Sequence, residues 1–210
     1  MRNPNITIML TMNRLSHLDP DTSEGKSKSL FRGIKREFGF VPNSFRVFAN
    51  SPAVLLGFLN LRKALEGAAI SEKLREQISL AVSEIHSCAY CLSAHSFKAQ
   101  HAGLNVDEIT DARLATGSDE KSDAALSLAR AIVLERGQLE ERALRAARES
   151  NLSDREIVEI VATVVLTTLT NYINEIANPE IDFPPVLPRR FPGDFPISAT
   201  LEPSTFLMDV

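Results

Sequence analysis

The sequence predicts an all-α protein, a compact helical domain followed by a proline-rich C-terminal tail. Apolar residues recur at helical spacing through most of residues 23–178. Capping residues and glycines punctuate these runs where helices would start and stop. No stretch alternates apolar and polar side chains over the length of a strand. The 210 residues are enough for one domain with a substantial core. Three parts are expected: an N-terminal arm over 1–22 containing Pro4 and Pro20, a helical domain over 23–178, and an extended tail over 179–210.

From Ser23 to Phe38, the residues Leu30, Ile34 and Phe38 fall four apart among lysines and arginines, which predicts a first helix. Gly39–Asn43 breaks it, because Pro42 cannot continue a helix and disfavours helical geometry at Val41. Ser51 supplies a capping hydroxyl and Pro52 suits the first helical position, so a second helix should run to about Glu66, burying Val54, Leu55, Phe58 and Leu61. Gly67 ends it. Ser71 caps the next helix, whose stripe is Leu74, Ile78, Ala81, Val82 and Ile85. Another helix is expected from Tyr90 to Ala102, stopped by Gly103.

Asn105 with Glu108, and Ser153 with Glu156, have capping-box spacing and announce two further helices. Ala124–Arg136 is amphipathic and closed by Gly137, and Leu139–Glu149 is a shorter helix. The last helix should span Asp154–Ala177. Its most apolar part, Ile157–Leu169, carries Glu159 and is shorter than the roughly 20 residues a membrane span needs. It is expected to be a buried helix of the core or of a subunit interface. Seven prolines lie between Pro179 and Pro203, so the tail cannot be a regular helix or central strand. Ile181, Phe183, Val186, Leu187, Phe191 and Phe195 predict that it wraps over a neighbouring surface.

The net charge of −4, from 23 basic and 27 acidic residues, gives no electrostatic footprint for nucleic acid or an anionic membrane. The basic runs Lys26–Arg36 and Arg142–Arg148 recur at helical spacing and read as solvated faces. Ile6–Leu10 is too short for a secretory core, so a reducing cytoplasm is the expected location. The only two cysteines, Cys88 and Cys91, share one four-residue window, which in that compartment reads as redox-active or metal-binding.

The chemistry is concentrated in Glu84-Ile-His-Ser-Cys88-Ala-Tyr-Cys91-Leu-Ser-Ala-His95. Side chains at i and i+3 on a helix share a face, so the two sulfurs can meet and close a disulfide after a small shift. His95, four residues beyond Cys91, can reach that sulfur and exchange a proton with it. Only a thiolate attacks, and a helix N-terminus, expected at Ser87, would favour one. A carboxylate, Glu76 or Glu84, could orient the imidazole. Two other readings stay open. His86, Cys88, Cys91 and His95 could ligate zinc in a structural module that binds a partner, although Ala89-Tyr90 lacks the turn chemistry of a zinc knuckle. The cysteines could also be inert core thiols. No metal and no cofactor is expected, and Leu92 excludes a c-type haem site.

The spacing Glu76, Cys88-x-x-Cys91-x-x-x-His95 resembles the core motif of AhpD-like alkylhydroperoxidases in the carboxymuconolactone decarboxylase superfamily. Phe38-Gly-Phe-Val-Pro-Asn43, Ala49-Asn-Ser-Pro52, Thr170-Asn-Tyr-Ile-Asn174 and Ile181-Asp-Phe-Pro184 are similar to its peroxidase-related branch. The resemblance covers roughly residues 24–185. It implies Cys91 as the peroxide-attacking thiolate, Cys88 as the resolving thiol, His95 as proton acceptor and Glu76 as the start of a proton relay. Glu84 is a second acidic position four before the first cysteine. It further implies a small-molecule peroxide substrate, a dithiol reductant such as a lipoylated protein, and a homo-oligomer, trimeric or hexameric. Tyr90 is a departure, standing where some peroxidase members carry a histidine. Members that decarboxylate lactones lack the cysteine pair; a proton-transfer enzyme using the same pocket is the remaining alternative.

Overall fold

The computed structural model describes residues 14–189. Among them are nine α-helices and no strand: α1 Gly25–Phe38, α2 Asn43–Phe48, α3 Pro52–Ala64, α4 Glu72–Ile85, α5 Ala89–His101, α6 Val106–Arg113, α7 Glu120–Leu134, α8 Glu141–Glu149 and α9 Asp154–Ala177. Phe191 and Phe195 of the expected tail lie outside the described residues, as do residues 1–13.

The sequence signals place most boundaries. Ser51 accepts the Val54 N–H and Ser71 accepts the Leu74 N–H. Both expected capping boxes form, at Asn105 with Glu108 and at Ser153 with Glu156. Each such cap is worth about 1 kcal/mol. Asn178 ends α9 with φ 49, the left-handed conformation that asparagine tolerates, and Pro179 prevents continuation. The helix missing from the sequence reading is α2. Six residues are too few to show a helical period, and it owes its formation to burial of Phe45, Val47 and Phe48.

Helix α4 is the centre of the domain. Residues Gln77–Glu84 are all buried, and α5, α6, α7 and α9 pack around it. Ile78, Val82, Leu126, Ile160 and Val164 form one core cluster. A second cluster, with Phe31, Phe45, Phe48 and Phe58, joins α1–α3 and is closed by Leu166 and Ile173 of α9.

Helix α9 has 24 residues and a mean hydropathy of 1.4 over its most apolar stretch, so by length and composition it could cross a membrane, which the shorter Ile157–Leu169 reading did not anticipate. In the fold one side of it meets α4 through polar groups. Thr167 Oγ1 lies 3.0 Å from Ser79 Oγ, and Asn171 Nδ2 donates to Ser83 Oγ at 3.2 Å. Its outer side carries the exposed stripe Val158, Val161, Val165, Leu169, Tyr172 and Ile176. The buried face thus mixes Ile160 and Val164 with Thr163, Thr167, Asn171 and Asn174, while an apolar stripe stays exposed, unlike an ordinary amphipathic helix.

After α9 the chain is extended over 179–189 and crosses α5 of its own domain. Ile181 and Phe183 pack on Cys88, Tyr90, Cys91 and Ala94. Val186 N–H donates to Ser93 Oγ at 2.9 Å, and Arg113 donates to Leu187 O at 2.8 Å. This strap forms one wall of the site described next.

Candidate active site

The turn between α4 and α5 sets the thiols. Ser87 N–H bonds Glu84 O and Cys88 N–H bonds Ser83 O, both at 3.0 Å. That is the Schellman arrangement, with Ser87 at the left-handed position usually given to glycine, φ 55. Ser87 is therefore not the cap of α5, as the sequence suggested. Cys88 is the cap, and its sulfur accepts the Cys91 N–H at 3.4 Å. Cap and third helical residue face each other by geometry, which brings the two sulfurs to 2.7 Å as free thiols. A disulfide would need them at about 2.05 Å.

The sulfurs are not equivalent. Cys91, His95 and Glu76 line one cavity of about 900 Å³, whereas Cys88 does not reach it and is wholly buried. Much of the cavity wall is aromatic, from Phe38, Phe45, Phe58, Tyr90, Phe97 and Phe183. Burial pushes the Cys91 thiol up, but hydrogen bonds from Cys88 and from Asn174 outweigh it and hold Cys91 below the usual thiol value. Cys88 is driven the opposite way, first by its hydrogen bond to Cys91 and then by burial, and stays protonated. The position of Cys91 in the first turn of α5 adds the positive helix end.

Of the five residues singled out from the sequence, four converge: Cys88, Cys91, His95 and Glu76. His95 Nδ1 is 2.7 Å from Glu76 Oε2, with both side chains largely buried. Burial pushes the Glu76 carboxyl up, yet the adjacent imidazole more than offsets this and keeps it below the ordinary carboxylate value. The imidazole is turned to Glu76 and, among the described residues, is not a hydrogen-bond partner of the Cys91 sulfur.

Glu84 is not brought to the thiols. Its buried carboxylate accepts from Arg113 Nε and from the backbone N–H of Arg189, each at 2.5 Å. It clamps the strap to α4 and α6. The reason is its place on the face of α4 that meets α6, where Arg113 compensates the buried charge. His86 also lies apart, edge-to-face with Tyr172, their ring centroids 5.0 Å apart. Among the described residues no three of His, Cys, Asp and Glu come together as a metal-binding group.

Three contributors escaped sequence reading. Asn174 Nδ2 donates to the Cys91 sulfur at 3.2 Å. Ser44 Oγ donates to Asn174 Oδ1 at 2.7 Å. Asp182 of the strap accepts from Tyr90 O–H and from Asn43 N–H, both at 2.7 Å, while the Tyr90 oxygen accepts Ser44 N–H at 3.1 Å. Tyr90, at the departure from the resembled motif, thus fastens α2 and the strap to α5. The signal for Asn174 was present: Thr163, Thr167, Asn171 and Asn174 recur at helical spacing in an otherwise apolar helix.

Residues 52–135, which include Glu76, Cys88, Cys91 and His95, match the carboxymuconolactone decarboxylase family. No functionally curated relative matches the sequence. Among solved structures, an uncharacterised peroxidase-related protein of Ralstonia eutropha with an alkylhydroperoxidase AhpD core is similar, at 20% identity and a TM-score of 0.72, over 82% of this chain and 92% of that one. An uncharacterised peroxidase-related protein of a Silicibacter species is 21% identical with a TM-score of 0.67, over 87% of this chain and 97% of its own. A debrominase, Bmp8, in complex with 2,3,4-tribromopyrrole, is 23% identical with a TM-score of 0.63, over 74% and 84%. These likenesses establish a shared helical fold.

Proposed function

We propose that this chain, an AhpD-like member of the carboxymuconolactone decarboxylase superfamily, is a thiol-dependent peroxidase that reduces organic hydroperoxides. The observation that supports this reading best is the asymmetry of the cysteine pair. Cys91 opens on the cavity beside His95 and Glu76, and Cys88 waits behind it as a protonated thiol. The Cys91 thiolate attacks the near oxygen of the peroxide. An S–O bond forms, the O–O bond breaks, and the departing alkoxide takes a proton from the His95–Glu76 pair to leave as an alcohol. The resulting sulfenic acid condenses with Cys88, releasing water and leaving a disulfide. A dithiol such as a protein-borne lipoyl group restores both thiols and is itself oxidised. The aromatic wall suits an organic peroxide better than hydrogen peroxide, because apolar surface there is covered only by an apolar substituent.

A cytoplasmic setting would keep such thiols reduced between turnovers. Homo-oligomerisation is supported by the exposed stripe on α9, since contiguous apolar surface of this kind marks a protein contact.

The test is a panel of organic hydroperoxides assayed with several dithiol reductants. The wild type should turn over, Cys91→Ser should not, and Cys88→Ser should accumulate sulfenic acid or a mixed disulfide. Full turnover by Cys91→Ser would refute the assignment.

The same cavity also favours a second reading, reductive dehalogenation of an aromatic ring, since one of the similar structures is named a debrominase. There the Cys91 thiolate and Cys88 thiol would supply two electrons and one proton, giving the dehalogenated ring, halide and the disulfide. Halide release from bromoaromatics, with no peroxide reduced, would select it.

A further inference from the structure

We propose that Asn174 is a catalytic residue that holds Cys91 as a thiolate, with Ser44 as the positioning residue that aims its amide. The inference rests on Cys91 being the reactive thiol, and it divides the labour of the site differently from a simple cysteine–histidine pair.

A thiolate that is only 2% exposed has almost no water to solvate it, so its charge must be met by donors built into the fold. The described structure supplies the Cys88 S–H at 2.7 Å and the Asn174 Nδ2–H at 3.2 Å, with smaller contributions from Asn171 and Thr170. The amide is not free to turn. Its oxygen already accepts the Ser44 O–H at 2.7 Å, so the nitrogen is what remains to face the sulfur. Asn174 and Ser44 are both buried, at 4% and 5% exposure, and leaving either amide group unpaired would be costly. Ser44 is in turn fixed from two sides, by its place in the first turn of α2 and by its backbone N–H on Tyr90.

The lowered Cys91 thiol agrees with this geometry, since the Asn174 bond is among its causes whereas His95 is not. The imidazole, occupied by Glu76 on its Nδ1 side and lining the cavity, is then available to the departing oxygen rather than committed to the sulfur. One donor set makes the nucleophile, and a separate pair handles the proton.

The experiment is the pH dependence of Cys91 alkylation by iodoacetamide in the full-length reduced protein, with the modified residue identified by peptide mapping and the fold checked by thermal melting. Asn174→Ala should move the midpoint up by about one pH unit, roughly a tenfold loss of thiolate at neutral pH. Ser44→Ala should move it in the same direction by less. His95→Ala should move it less than Asn174→Ala. A folded Asn174→Ala protein with an unmoved midpoint overturns the proposal, as does a His95→Ala shift equal to or larger than that of Asn174→Ala. Should Asn174→Ala fail to fold, an unmoved Ser44→Ala midpoint overturns it alone. The readout needs no peroxide: a shifted midpoint without peroxide turnover supports the role of Asn174 while counting against the peroxidase reading.

Discussion

His95 Nδ1 lies 2.7 Å from Glu76 Oε2, although the two residues are 19 positions apart and belong to different helices. Glu76 sits in the second turn of α4 and His95 near the middle of α5, so the packing of these two helices sets the contact. Its chemical consequence is an imidazole of fixed orientation whose other nitrogen is not engaged by Glu76.

Glu76→Gln should lower peroxide turnover by on the order of a hundredfold, the usual scale for loss of an acid–base group. The glutamine keeps the hydrogen bond but not the charge, so the melting temperature at neutral pH should fall by the stability that charge contributes. Because the Glu76 carboxyl is held below its ordinary value, the stability its charged form contributes is present above the ordinary carboxylate range and is lost as pH falls through the lowered value. Steady-state rates and melts of the two proteins check this.

Glu84→Gln should do the reverse. Removing the charge strands Arg113 beside a buried site and loosens the Arg189 N–H, at a cost of about 3 kcal/mol. Urea unfolding should show the loss, and limited proteolysis should cut the strap at residues 180–189 faster than in the wild type. Unchanged stability would mean that Glu84 is not the clamp described above.

Ser87→Gly should stabilise the protein by about 0.5–1 kcal/mol, since the position requires left-handed backbone and the exposed serine side chain makes no hydrogen bond among the described residues. A higher urea midpoint with an unchanged slope is the expected result. Lower stability would show that the side chain contributes something beyond the turn.

Val165→Glu, in the middle of the apolar stripe of α9 where the valine is 57% exposed, should reduce the molecular mass in solution toward that of one chain. Light scattering after size exclusion measures it directly. An oligomer of unchanged mass would place the subunit contact elsewhere.

Most helices were legible in the sequence because their causes are local. Capping side chains, proline at a first helical position and glycine after the last turn act within four or five residues, and apolar spacing repeats within one helix. The helix α2 was not legible, being shorter than the period that would reveal it. Glu76 and Glu84 show where local reasoning stops. Both are acids on α4, and eight residues place them roughly 80° apart around the helix. Nothing within α4 says which direction α5 will occupy and which α6.

The sequence by itself determined that a cysteine pair would stand at the start of a helix with a histidine one turn beyond, since those relations follow from backbone geometry over eight residues. Only the tertiary structure decided that Glu76 would meet that histidine, that Glu84 would hold the strap, and that Asn174, 83 positions from Cys91, would reach its sulfur. Hydrogen bonds across such separations depend on how the helices pack, and packing is a property of all the helices together.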